Sequence, residues 1–143
     1  MKTRKIIQKT MICFLLLYIT IYGNARSSYN SLMSICGHKP TIEEATSESS
    51  LVFIAKATSY NRAHYLLTLK VNRVFKENIP QELQVYSPSG QSNAYPLSLD
   101  HEYLIFTSGS INENHVIFVS ECSRTNETKN AKSDLEWLKN NKY

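Results

Sequence analysis

Four histidines, His38, His64, His101 and His115, and three cysteines, Cys13, Cys36 and Cys122, are the side chains best suited to metal or nucleophilic chemistry in this 143-residue chain. The histidines stand in four separate segments, and no HxH, HExxH or CxxC spacing occurs that would hold zinc. Asp100-His101-Glu102 is a dense polar triplet, yet neighbours on an extended chain point in alternating directions. It reads as a solvated strand start rather than a metal site. Cys36 has His38 close by in sequence, but a disulfide at Cys36 would remove the thiolate that a nucleophile needs. Ser89-Gly90 lacks the G-x-S-x-G elbow. Glu43-Glu44 fits a helix start better than acid–base work. Tyr60, Tyr65, Tyr86, Tyr95 and Tyr103 could form a stacking platform for single strands or sugars; strand tyrosines filling a half-buried face are the plainer account. We therefore expect no catalytic residue, no metal site and no cofactor: a chain that is not an enzyme.

The charge is concentrated at the start. Lys2, Arg4, Lys5 and Lys9 precede the apolar run Met11–Tyr22, which is short for a bilayer span, and Gly23-Asn24-Ala25 supplies small residues at a cleavage spacing. This is the pattern of a secretory signal peptide over residues 1–25, cleaved near Ala25, with an uncleaved anchor as the alternative. Cleavage would remove four of the sixteen basic residues and none of the twelve acidic ones, leaving twelve of each. A neutral mature chain offers no basic footprint for nucleic acid or an anionic membrane. Cys13 would leave with the signal, so Cys36 and Cys122 remain as a pair in an oxidising compartment, secreted or periplasmic, where we expect them to be bonded.

The elements that would position any contact surface follow from periodicity. Residues 26–35 are a polar leader, and residues 36–143 form one domain. Thr41-Ile42-Glu43-Glu44 is a capping-box pattern, predicting a helix of two or three turns that ends near Ser49. Leu51–Tyr60 and Tyr65–Phe75 read as two long strands joined by a polar turn at Asn61–His64. The first strand opens apolar at every position, as expected if both its faces are covered. In the second, Leu67, Leu69 and Val71 alternate with Thr68, Lys70 and Asn72 until the phase slips at Arg73-Val74, which predicts a β-bulge that keeps Val74 or Phe75 buried. Leu83–Tyr86 is a short strand, and the stretch after it, to Asp100, is a long loop. Tyr103–Thr107 and Val116–Ser120 read as a second hairpin. Ala131, Leu135 and Leu138 make an apolar stripe on a closing helix over Thr128–Asn141, with Lys132, Asp134 and Lys139 off the stripe.

Several of these residues form an ordered series. Cys36 and Pro40 precede the short acidic helix; Leu51–Ala57 (LVFIAKA), Val71–Lys76 (VNRVFK) and Glu102–Phe106 (EYLIF) follow; Cys122 closes the last strand. In order and spacing this series resembles the netrin-like modules and, within them, the tissue inhibitors of metalloproteinases. Ser123-Arg124-Thr125 and the tail helix are most like the short bacterial members. The resemblance covers about residues 36 to 122. It implies a mainly β fold, a five-stranded OB-fold-like Greek-key barrel with a short N-terminal and a C-terminal helix, which a bulged second strand would suit. Cys36–Cys122 would match the family's bridge between leader and last strand. In those inhibitors the amine and carbonyl of the first residue in a Cys-x-Cys pair bind the protease zinc. Here Ser34 holds that first position, and no cysteine stands around Gln91–Tyr95 to have bonded it.

The expected function is thus an exported, non-catalytic protein-binding module whose partner is an extracellular or periplasmic protein, with a metalloprotease among the candidates. Inhibition through the Cys36 ridge is the alternative. The expected contact residues are the ridge Ser34, Ile35, Cys36, Gly37, His38, Lys39 and Pro40, and the loops carrying Asn61, Arg62, His64, Gln91, Asn93 and Tyr95. Nucleic acid, and the membrane after signal cleavage, are not expected partners.

Overall fold

The computed structural model describes residues 36–87 and 93–141. The expected signal peptide (1–25), the leader (26–35) with Ser34 and Ile35, and Gln91 lie outside the described residues. The chain divides into two units, Met1–His38 and Lys39–Tyr143. Only Cys36, Gly37 and His38 of the first are described, and the fold below is that of the second.

Strand β1 (Leu51–Asn61) pairs antiparallel with β2 (Leu66–Lys76), within about a residue of the bounds that alternation suggested. The phase slip is real, and it is repeated. The register shifts between Val52/Phe53 and between Ile54/Ala55, where β2 carries the extra residues Phe75 and Asn72, and again between Ala57/Ser59, where Thr58 is extra on β1. Each such insertion bends the pair and increases its twist. Of the two candidates for burial, Phe75 packs half-buried against the helices, whereas Val74 stays 39% exposed.

The apolar opening of β1 is explained by its two faces. Leu51, Phe53, Ala55 and Ala57 enter one core with Leu67, Leu69, Leu83, Val85, Tyr103, Ile105, Ile117 and Val119. Val52 faces the other way, into a second core with Leu104, Phe106, Ala45, Ala131 and Leu138. The first core is made by the inner face of a curled sheet, the second by helices laid on its outer face.

Four further strands complete a six-stranded mixed sheet in the order β5-β3-β2-β1-β4-β6. Strand β3 (Glu82–Tyr86) lies antiparallel to β2, β4 (Glu102–Thr107) antiparallel to β1, β5 (Val116–Ile117) parallel to β3, and β6 (Asn126–Glu127) antiparallel to β4. The mainly β expectation holds; two details differ. The described sheet has six strands rather than five and is open. The second hairpin does not form, because β4 turns to β1 and β5 to β3. A strand apolar on both faces, such as Tyr103-Leu104-Ile105-Phe106, carries no mark of which neighbour it will take, and burial between two cores decides it.

Helix α1 (Ile42–Glu48) begins with the capping box. Glu44 N–H donates to the Thr41 hydroxyl at 3.2 Å, and the Glu44 carboxylate accepts from Thr41 N–H at 2.7 Å. Its other end is met from β2: the Lys76 ammonium donates to the Thr46 and Ser49 carbonyls at 2.9 and 2.5 Å, where the helix dipole favours a cation. A 3-10 turn (Thr128–Asn130) leads into α2 (Lys132–Asn140), which starts later than the predicted Thr128. Ala131 and Leu138 are buried and Leu135 packs beside them, as the stripe required. Asp134 departs from that reading, because it is only 7% exposed. Among the described residues no helix is long and apolar enough to cross a membrane.

Candidate contact surface

The expected contact residues fall into two places. At the first, β1 and β2 are joined by the turn that carries Arg62 and His64, and residues Asn61 to Tyr65 are all exposed. The Asn61 side-chain carbonyl accepts from Ala63 N–H at 3.0 Å, a local bond that starts the reversal. Tyr65 ends it with φ of 54°, and its carbonyl accepts from Ser87 N–H at 2.8 Å. The hydroxyls of Tyr60 and Ser87 lie 3.4 Å apart. The hairpin tip is thereby fixed against the end of β3.

At the second place, a groove of about 340 Å³ runs between α1 and the ends of β4 and β5, lined among others by Pro40, Ala45, Phe106, Gly109, Phe118 and Ser120. Arg124 lies along it and donates from Nη1 to the Pro40 carbonyl at 2.6 Å. The same chain segment holds the described part of the long loop. Ala94 bridges to Ser120, Tyr95 N–H donates to the Val119 carbonyl at 2.7 Å, and Glu121 N–H to the Asn93 carbonyl at 3.1 Å. Pro40 and Asn93 are therefore both tied to residues 119–124, while the bonds that fix the hairpin tip run to Ser87. Lys39 is exposed beside Pro40. In the first unit Gly37 and His38 are exposed, and Gly37 has φ of 66°, a conformation natural to glycine.

Cys36 and Cys122 are disulfide-bonded, as expected. The bond is consistent with an extracellular or periplasmic location.

The tyrosines separate by role. Tyr103 is 2% exposed and belongs to the core, with Tyr95 edge-to-face upon it at 6.1 Å and 76°. Burial pushes the Tyr95 phenol above its ordinary pKa, and Tyr103 and Glu127 beside it add to the shift. Tyr65, by contrast, is 47% exposed.

Asp100-His101-Glu102 stands at the start of β4, with each side chain engaged separately. Asp100 pairs with Lys56 at 3.2 Å, Glu102 accepts from Asn72 at 2.7 Å, and His101 Nδ1 lies 3.0 Å from Glu127. Among the described residues no group of three or more His, Cys, Asp or Glu could hold a metal ion. The Lys129 ammonium, and then the His101 ring, hold the Glu127 carboxyl below the ordinary glutamate range. A carboxyl with a depressed folded pKa contributes stability above its unfolded pKa and loses it as pH falls through the folded value. Glu127→Gln should therefore be less stable than the parent at pH 7, with the gap closing at acid pH below the ordinary glutamate range. Urea midpoints at both pH values test this; a gap that is unchanged in acid refutes it.

Phe118, Ser120 and Gly109 have no sequence signal as contact residues, because they meet Pro40 and Ala45, more than sixty positions away, without any short-range pattern linking them. The sequence places Tyr65 at a strand start and among the tyrosines of a candidate stacking platform; its left-handed φ has no residue-type signal. No protein-family model matches the chain, and no curated protein sequence matches it.

Proposed function

We propose that this chain is an exported binding module of the netrin-like type, related to the metalloproteinase inhibitors, which contacts an extracellular or periplasmic protein and performs no catalysis. The observation that carries this reading is the strand connectivity. Three consecutive antiparallel strands, the return of β4 to β1 and the parallel β3–β5 pair support an OB-type reading of the open six-stranded sheet, in which β4 and β5 share no ladder and leave a seam. The Thr107 hydroxyl spans that seam, donating to the Phe118 carbonyl at 2.6 Å. The Cys36–Cys122 bond adds the covalent tie that the resemblance implies. A scaffold does not specify its use, so the contact surface must. The groove beside Pro40 supplies a concave candidate of the size that small binding sites have.

Gly109→Trp tests the groove, because a Cβ there meets nothing closer than the Thr107 hydroxyl oxygen at 3.8 Å and the added ring would occupy the groove without backbone strain. Protein recovered from its native compartment should carry a partner that Gly109→Trp, equally folded, fails to hold. Equal recovery by both proteins would exclude the groove as the contact. Sequencing the mature N-terminus separates the inhibitor mechanism: a chain that begins well before Cys36 has no amine there to place on zinc.

A further inference from the structure

We propose that the groove between α1 and the ends of β4 and β5 takes an extended peptide segment of its partner, which adds as a short strand along Phe118–Ser120 and carries an apolar side chain beside a lysine or arginine. The inference rests on the binding-module reading and names the partner class of its groove. Its first support is a pair of unpaired donors. Past β5 the backbone groups alternate between two sides: the Val119 carbonyl and Glu121 N–H bond to Tyr95 and Asn93, whereas the Phe118 carbonyl meets the Thr107 hydroxyl across the seam. An extended residue sends its N–H the same way as its carbonyl, so the Phe118 and Ser120 N–H groups face the seam. Both residues line the groove, and among the described residues neither N–H has a hydrogen-bond partner. Strand β4 does not supply one, because the Thr125 hydroxyl engages the Phe106 N–H and carbonyl at 3.0 and 3.4 Å. Two donors, two residues apart on one edge, match the carbonyls of an added strand.

The second support is the lining. Phe106 and Ala45, 1% and 4% exposed, and the half-buried Phe118 give the groove apolar surface that an alternate side chain of the strand would cover. Glu48 lines it as well, is exposed, and has no ion-pair partner among the described residues, while Arg124 spends its charge on Asp134. The uncompensated charge of the groove is therefore negative, and its complement is a cation next to an apolar side chain.

The experiment pans a phage-displayed library of linear peptides over the full chain with its disulfide intact. The expected result is a set of peptides that share an apolar residue with Lys or Arg within two positions and that Gly109→Trp fails to hold. Glu48→Gln should weaken them roughly two- to fivefold, the range of an exposed ion pair. Amide exchange followed by NMR then locates the contact. In the free protein the Phe118 and Ser120 amides should exchange faster than the bonded amides of Tyr95 and Glu121, and a synthetic copy of a selected peptide should slow both by about tenfold or more. Amides at 118 and 120 that are already protected in the free protein, or that a groove-bound peptide leaves unprotected, overturn the added strand and leave the groove as a contact. Peptides without a basic residue, or indifferent to Glu48→Gln, overturn the charge assignment and with it the inference as stated. If no selected peptide is lost by Gly109→Trp the inference falls, whereas the groove itself still stands or falls on recovery of the native partner by that variant.

Discussion

Arg124→Ala should cost about 2 to 3 kcal/mol of folding stability, below the ~3 to 5 expected of a fully buried pair because the Arg124 side chain keeps 22% of its exposure. The guanidinium meets Asp134 in a two-point fork, Nε to Oδ2 and Nη2 to Oδ1, each at 2.8 Å, and spends Nη1 on the Pro40 carbonyl at 2.6 Å. It therefore ties α2 to the segment that leads into α1. Alanine would leave the Asp134 carboxylate, 7% exposed, without its counter-charge, and the Pro40 carbonyl without its donor. Arg124→Lys should recover only part of the loss, because an ammonium cannot reproduce the planar fork. The double variant Arg124→Met, Asp134→Leu should lie closer to the parent than Arg124→Ala does, since it removes both charges together. Urea denaturation of the four proteins measures this. A loss for Arg124→Ala below about 0.5 kcal/mol, the level of an ordinary exposed pair, would reject the buried-fork account.

Replacing Cys36 and Cys122 by serine should cost about 2 to 4 kcal/mol, short of the roughly 4 to 5 that the chain-entropy account allows for so long a loop when the unfolded chain stays compact. The local effect should be narrow. Helix α1 has supports of its own in the buried Ala45, the Lys76 ammonium on its last carbonyls and the Arg124 bond to Pro40. Hydrogen exchange should therefore rise at Gly37, His38 and Lys39 while α1 and the β1–β2 pair keep their relative protection. Equal loss of protection through α1 would mean that the disulfide, and not these contacts, holds the helix. Free thiols at both positions in protein from its native compartment would contradict the bond itself.

Much of the secondary structure was determined locally. The Thr41/Glu44 capping box needs only residues three apart, the alternation from Leu66 through Val71 needs only a period of two, and the Ala131/Leu135/Leu138 stripe needs only a helical repeat. The phase slip at Arg73-Val74 announced a bulge for the same reason, although alternation alone could not say that the pair would be interrupted three times. The disulfide was legible because Cys36 and Cys122 are the two cysteines left once residues 1–25 are read as a signal peptide.

Partnership was decided by the tertiary structure alone. Period-two patterns assign faces and leave neighbours open, so the return of β4 to β1 and the parallel β3–β5 pair depended on two cores forming at once on opposite faces of β1 and β4. Asp134 looked like a surface residue until Arg124, ten positions earlier, was brought against it. The groove arose where chain segments remote in sequence, Pro40 to Ser49, Phe106 to Gly109 and Phe118 to Arg124, met beside a seam that no ladder fills. Such a surface depends on the positions of several backbones at once, and short-range residue patterns do not contain those positions.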